Sequence, residues 1–200
     1  MDKSKFVLLL DNGHGSNTPG KCSPDRRLLE YQWARDVVAR IATLARAASI
    51  RTEIVTPETT DTPLSTRTKR VNAWCAKYGT ANCLCISVHI NAAGADGKWH
   101  DARGWSGWVA PKSSANSRRC AAIMYKHAVA AGLKGNRARQ PGDYWTGNFA
   151  IVRDTRCPAV LTENLFQDNR ADVDYLLTDA GKDTIARMHI AAIEEYIKTL

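Results

Sequence analysis

Short apolar runs alternate with amphipathic stretches along the whole 200-residue chain, and that alternation admits few folds. Each run has the length of one strand, and each stretch has the length of a helix that carries the chain back to start a parallel neighbour. The runs predict strands at about 5 to 11, Ile50 to Val55, Cys83 to Val88, Trp105 to Val109, Ala150 to Val152 and Ala159 to Thr162. Helical spacing predicts helices from about Leu28 to Ala48, Leu64 to Lys77, Ser114 to Ala131, with Gly132 as the stop, and Asp179 to Lys198. Runs that are apolar throughout belong to sheets covered on both faces. The expectation is one α/β domain over residues 1–200: a mostly parallel twisted sheet of about six strands with helices on both faces.

Two stretches fit no element, Ala92 to Gly104 and Leu133 to Asn148. Both are rich in Gly, Arg, Trp and Asn, and loops of that length usually carry function. Their parts around Trp99 to Trp105 and around Arg137 to Trp145 are expected to wall a substrate groove, with Tyr144 and Trp145 among the residues that contact substrate; Trp105, which begins a strand, is expected in the core.

The charge balance, 28 Lys and Arg against 20 Asp and Glu, gives +8 and favours an anionic partner. No run of five basic residues and no helical stripe of cations beside exposed aromatics is present, which argues against nucleic acid. Five apolar residues after Met1 to Lys5 are too few for a signal core or a membrane span, so the chain is expected to be made in the cytoplasm, without membrane insertion, and to act outside only after release or export by something else; a monomer is expected. The six cysteines include no CxxC pair; Cys83 and Cys85 fall on one face of a strand, as small core residues.

The chemistry gathers at strand ends. His14 lies between two glycines just past the first strand, and His89 follows the run that ends at Val88. In a parallel sheet ligands bind beyond the carboxyl ends of the strands, so both imidazoles belong to one edge. Glu30, in the first turn of the next helix, can reach the same edge; a carboxylate there is also a common partner of the helix dipole. Two histidines and a glutamate are a known zinc set that leaves a position for water. Glu163, directly after the run ending at Thr162, is placed as the general acid-base, or else as an ion-pair partner. His127 and His189 are expected at helix surfaces or half-buried, and His100 is the one substitute ligand.

The chain resembles the zinc-dependent N-acetylmuramoyl-L-alanine amidases of bacterial autolysins and phage endolysins. Five motifs stand in the family order: Asp11 to Gly15, the Leu-Leu step before Glu30, Leu64 to Arg67, Ser87 to Asn91, and Pro158 to Phe166. The resemblance implies one Zn²⁺ held by His14, Glu30 and His89, with Glu163 as the catalytic carboxylate. The implied substrate is peptidoglycan, cut at the amide between the lactyl group of N-acetylmuramic acid and L-alanine. Asn91 and Arg153 are implied substrate contacts, although Arg153 can equally pair with Asp154. The chain departs from the family at Asn12, where Pro is usual, and at Leu165, where Gly is usual. A zinc carboxypeptidase acting on stem peptides and a non-catalytic peptidoglycan-binding protein are the alternative readings.

Overall fold

The computed structural model describes residues 5–200; the first four, part of the lead judged too short for a signal segment, lie outside that range. Among the described residues six strands form one sheet: β1 (Val7–Asn12), β2 (Arg51–Ile54), β3 (Cys83–Asn91), β4 (Ser106–Val109), β5 (Trp145–Thr146) and β6 (Ala159–Phe166), in the order β2-β1-β3-β6-β4-β5. Neighbours among β1, β2, β3 and β6 pair in parallel; β4 runs antiparallel to β6, with β5 parallel to β4 at the edge. The α-helices of the described residues are α1 (Glu30–Ala47), α2 (Leu64–Tyr78), α3 (Ala115–Ala130), α4 (Ala150–Arg153), α5 (Arg170–Leu177) and α6 (Asp179–Lys198).

The two faces of the sheet are covered unequally. Leu8, Leu10, Leu84, Ile86, Val88 and Val160 pack under residues of α1, α3, α5 and α6 in the larger core. Fully burying each such side chain contributes roughly 1.5–3 kcal/mol, so this thick layer holds the sheet. The opposite face presents Val7, Leu9, Cys83, Cys85, Ala159 and Leu161 to residues of α2 and of the four-residue α4. A cover that short leaves the carboxyl end of the face open. Stepping two residues along each strand from Leu9, Cys85 and Leu161 brings Asp11, Ser87, His89 and Glu163 to that opening.

Three elements differ from the expectation. Ala150 to Val152 is not a strand but most of α4, with Ile151 and Val152 buried; an apolar run of three residues carries too little periodicity to separate strand from helix. The edge strand is instead Trp145–Thr146, inside a stretch expected to be irregular. Helix α5 was not expected, although Asn169 caps it by accepting from the Asp172 N–H at 3.1 Å, a recognised start signal. Strands β3 and β6 also run on to Asn91 and Phe166, so His89 and Glu163 lie within the ladder rather than after it.

Both departures from the family pattern have local explanations. Asn12 donates its backbone N–H to Thr56 Oγ1 at 3.0 Å and its side-chain amide to Thr56 O at 2.6 Å, bonds a proline could not make. Leu165 adopts φ 67° next to the register shift between β3 and β6, a left-handed backbone that favours glycine. Its side chain is buried in the larger core, which compensates the strain.

Candidate metal centre

His14, Glu30 and His89 offer ligand atoms that all lie within 4.8 Å of one another; no other group of three His, Cys, Asp or Glu among the described residues does so. His14 comes from the loop after β1 with φ 55°. The glycines on either side allow it: a Cβ on Gly13 would stand 2.6 Å from His89 Nδ1, and one on Gly15 would strike the Asp61 backbone at 2.0 Å. Glu30 opens α1, where its N–H donates to Lys21 O. Its Oε1 accepts from the Ile90 N–H at 2.9 Å and lies 3.1 Å from His89 Nδ1 and 3.6 Å from His14 Nε2.

The protonation of His14 and Glu30 suits a cation. Burial lowers His14 to about 4, with the Glu30 charge only partly opposing it, so the ring is neutral with a free lone pair. Burial works to raise Glu30, but the hydrogen bond from His89 and the charges of both imidazoles hold it below the usual carboxylate value. His89 is raised despite burial, because Glu30 bonds it and Glu163 lies near. Glu30 Oε2 is buried with no hydrogen-bond partner. Such an oxygen costs about 1–3 kcal/mol or more unless something positive meets it, and a metal ion is the partner this donor set fits.

A buried polar frame fixes the His14 loop. Arg67, in α2, is 3% exposed and donates to Asp11 Oδ1 at 2.9 Å, Asp61 Oδ1 at 2.8 Å, Thr62 O at 2.8 Å and Asn12 O. Ser87 Oγ donates to the other Asp11 oxygen at 2.6 Å, which ties β3 to the same frame. Arg35 of α1 reaches His14 O at 3.1 Å.

Glu163 stands in register with His89 across β3 and β6, and with Ser106 on the β4 side. Burial raises its pKa to about 7; the nearby Glu30 charge adds to the rise, while His89, Lys21 and Arg137 oppose it. Its Oε2 is buried and unpartnered. His14, His89 and Glu163 line a cleft of about 610 Å³, whose other walls include Thr18, Lys21, the turn from Asp61 to Leu64, and Asn148 to Ile151. Lys21 and Phe149 carry no motif of their own; the only sequence sign of the Lys21 loop was its closeness to His14.

The remaining expected site residues lie elsewhere. Asn91 ends β3 and accepts from the Ala92 N–H at 2.9 Å, outside the cleft lining. Arg153 forks onto Asp154 at 2.7 Å through both arms and lines a different cavity, so the ion-pair alternative describes its contacts. Trp145 is 7% exposed, with ring centroids 5.8 Å from Tyr125 and 6.3 Å from Trp108, and Tyr144 packs on the same core. No residue of Trp99 to Trp105 or of Arg137 to Trp145 lines the cleft, so neither expected wall is found there; Asn148, just beyond the second, does line it. Trp105 is buried, as expected. His100 pairs with Asp96 at 2.9 Å and is not part of the cluster, and His127 is half-buried against Glu195. His189 is fully buried rather than near the surface, its ring bonded to Thr162 Oγ1 at 3.1 Å and to Ile185 O.

Comparison with known proteins agrees with this geometry. The family model described as N-acetylmuramoyl-L-alanine amidase matches residues 8–195. The chain is 27% identical over 184 residues to N-acetylmuramoyl-L-alanine amidase CwlM of Bacillus licheniformis, covering 91% of this chain and 65% of that protein. It is 29% identical over 200 residues to an endolysin of Bacillus phage SPP1, covering 97% of this chain and 66% of that one. The chain thus spans about two thirds of the length of these curated relatives. The fold is that of the catalytic domain of CwlV, an amidase from Bacillus (Paenibacillus) polymyxa, with a TM-score of 0.79, 22% identity and 98% and 99% of the two chains covered. With its strand order, its His-Glu-His cluster and a family match over nearly its whole length, this chain belongs to the N-acetylmuramoyl-L-alanine amidase family.

Proposed function

We propose that the chain is a zinc-dependent peptidoglycan hydrolase that cleaves the amide between the lactyl group of N-acetylmuramic acid and L-alanine of the stem peptide. The observation that carries this is the pairing of a His14-Glu30-His89 cluster with an unpartnered carboxyl group, Glu163, in register with one of its members. His14, Glu30 and His89 would hold Zn²⁺. The ion supplies Lewis acidity, making water acidic near neutral pH and polarising the amide carbonyl.

Glu163 does the proton work. Buried and without a hydrogen-bond partner, it takes a proton from the attacking water and gives it to the nitrogen of L-alanine as the C–N bond breaks, which leaves a lactyl carboxylate and a free amine. The apolar wall formed by Leu64, Phe149 and Ile151 suits the methyl groups on either side of the scissile amide. Lys21, whose charge already acts on Glu163 and His14, lies where a substrate oxygen would need a cation.

Digestion of purified peptidoglycan tests the reading. Stem peptides with a free L-alanine amino group are the expected product by mass spectrometry. Fragments trimmed instead at their carboxyl ends would assign a carboxypeptidase.

A further inference from the structure

The largest cavity of the described pockets is not the cleft. It measures about 730 Å³ and lies on the far side of α4, among the residues that precede β3 and β6, where Ala110 follows the antiparallel β4. The cleft takes Ala150 and Ile151 of that helix, the cavity takes Val152 and Arg153, and Asn148 borders both.

Its charge is one-sided. Lys112, Arg153 and Arg156 line it, and no Asp or Glu does. Asp154 engages Arg153, but among the described residues neither Lys112 nor Arg156 has an ion-pair partner, and both are exposed. Helix α3 starts at the cavity wall with no acidic residue in its first turn. Two unpaired cations facing a concave space without a carboxylate attract an oxyanion, and a guanidinium can grip one through two parallel bonds. A volume of this size falls in the range of small-ligand sites, which is more room than a single surface ion pair needs.

We infer that this cavity is a second, non-catalytic site for an oxyanion, a phosphate or carboxylate group borne by the wall polymer. That the polymer is cell wall rests on the proposed amidase reading; the affinity for an oxyanion does not. Bound there, the polymer is anchored on one side of α4 while its scissile amide enters the cleft on the other. The net charge of +8 steers the polymer towards the protein, and the cavity gives that attraction a place.

Sedimentation of the full chain with purified cell wall at physiological ionic strength tests this. Two preparations are needed: wall carrying phosphodiester polymer, and the same wall stripped of it by acid. The double variant Lys112→Ala/Arg156→Ala should bind phosphodiester-bearing wall about tenfold more weakly than wild type. The double variant Arg46→Ala/Lys198→Ala, which removes the same charge at exposed positions in α1 and α6, should lose far less. If the cavity variant loses affinity only on unstripped wall, phosphate is the group bound; an equal loss on both walls identifies a stem-peptide carboxylate. Wild-type binding by the cavity variant, or an equal loss in both double variants, would overturn the proposal. Hydrolysis of a small soluble muropeptide should be unchanged by Lys112→Ala/Arg156→Ala. Failure of wild type itself to hydrolyse that fragment would strike the amidase reading and leave the binding comparison standing.

Discussion

His89 and Glu163 are Cα partners in the parallel ladder of β3 and β6, a cluster member and an unpartnered acid side by side on one open face. Two strands in the middle of a sheet hold their side chains at a fixed spacing more tightly than loops can, which suits a reaction that needs its base held beside the residues that would bind the metal. Ser106 on β4 closes the other side of Glu163, and Arg137 donates to Ser106 Oγ at 3.0 Å while packing over Trp145 at 5.0 Å. The position of Glu163 is therefore set by strands on both sides.

Metal removal should abolish amide hydrolysis, and zinc should restore it, with one equivalent recovered by elemental analysis. Because His89 is held above the usual imidazole value without metal and must lose its proton to ligate, zinc affinity should rise as pH rises through the His89 titration. Undiminished hydrolysis by verified metal-free protein would refute the mechanism.

Glu163→Gln should keep bound metal and fold while turnover falls by about 10² to 10⁴. His14→Ala and His89→Ala should lose the metal. Equal loss of zinc in all three variants would show that Glu163 acts as a ligand.

In the metal-free protein the same glutamate makes stability depend on pH. Its folded pKa, about 7, lies above the ordinary 4.5, so its favourable contribution is complete below about 4.5 and is lost as pH rises through about 7. Glu163→Gln stays neutral throughout. Denaturant unfolding should find the variant close to wild type near pH 4 and more stable by roughly 3 kcal/mol near pH 8. No gain at the higher pH would mean that the carboxylate is not strained by burial.

Arg67→Ala should destabilise the chain by about 3–5 kcal/mol, because Asp11, 1% exposed, would lose the guanidinium that compensates it. Arg67→Lys should recover only part of this, since an ammonium cannot serve Asp11, Asp61 and Thr62 O from one planar fork. Denaturant midpoints measure both. A mild effect of the alanine variant would show that solvent reaches Asp11.

Trp145→Ala should lower stability by about 3–5 kcal/mol while leaving zinc content intact, as expected for a ring packed on Tyr125 and Trp108. A normal melting temperature with weakened substrate binding would return this residue to the groove.

Sequence alone determined most of the strand-helix order, though not α4, β5 or α5, and it singled out His14, Glu30, His89 and Glu163 as candidates, because apolar periodicity and strand-end position are local properties of a chain. It could not determine which face of the sheet stays open. That depends on four helices gathering on one side and on α4 being a single turn on the other, and the three residues Ala150 to Val152 hold no periodicity that separates a turn of helix from a strand. The same packing placed Lys21 in the cleft, Trp145 in the core and Arg153 at the second cavity, although only Trp145 and Arg153 had been expected at the substrate. Leu165 and Asn12 depended on tertiary contact as well: one keeps a left-handed backbone whose strain its buried side chain compensates, and the other stands where an imino acid is usual and donates both its backbone N–H and its side-chain amide to Thr56. Which side of a sheet a short segment covers is a sum over distant contacts, and a local pattern contains no term for it.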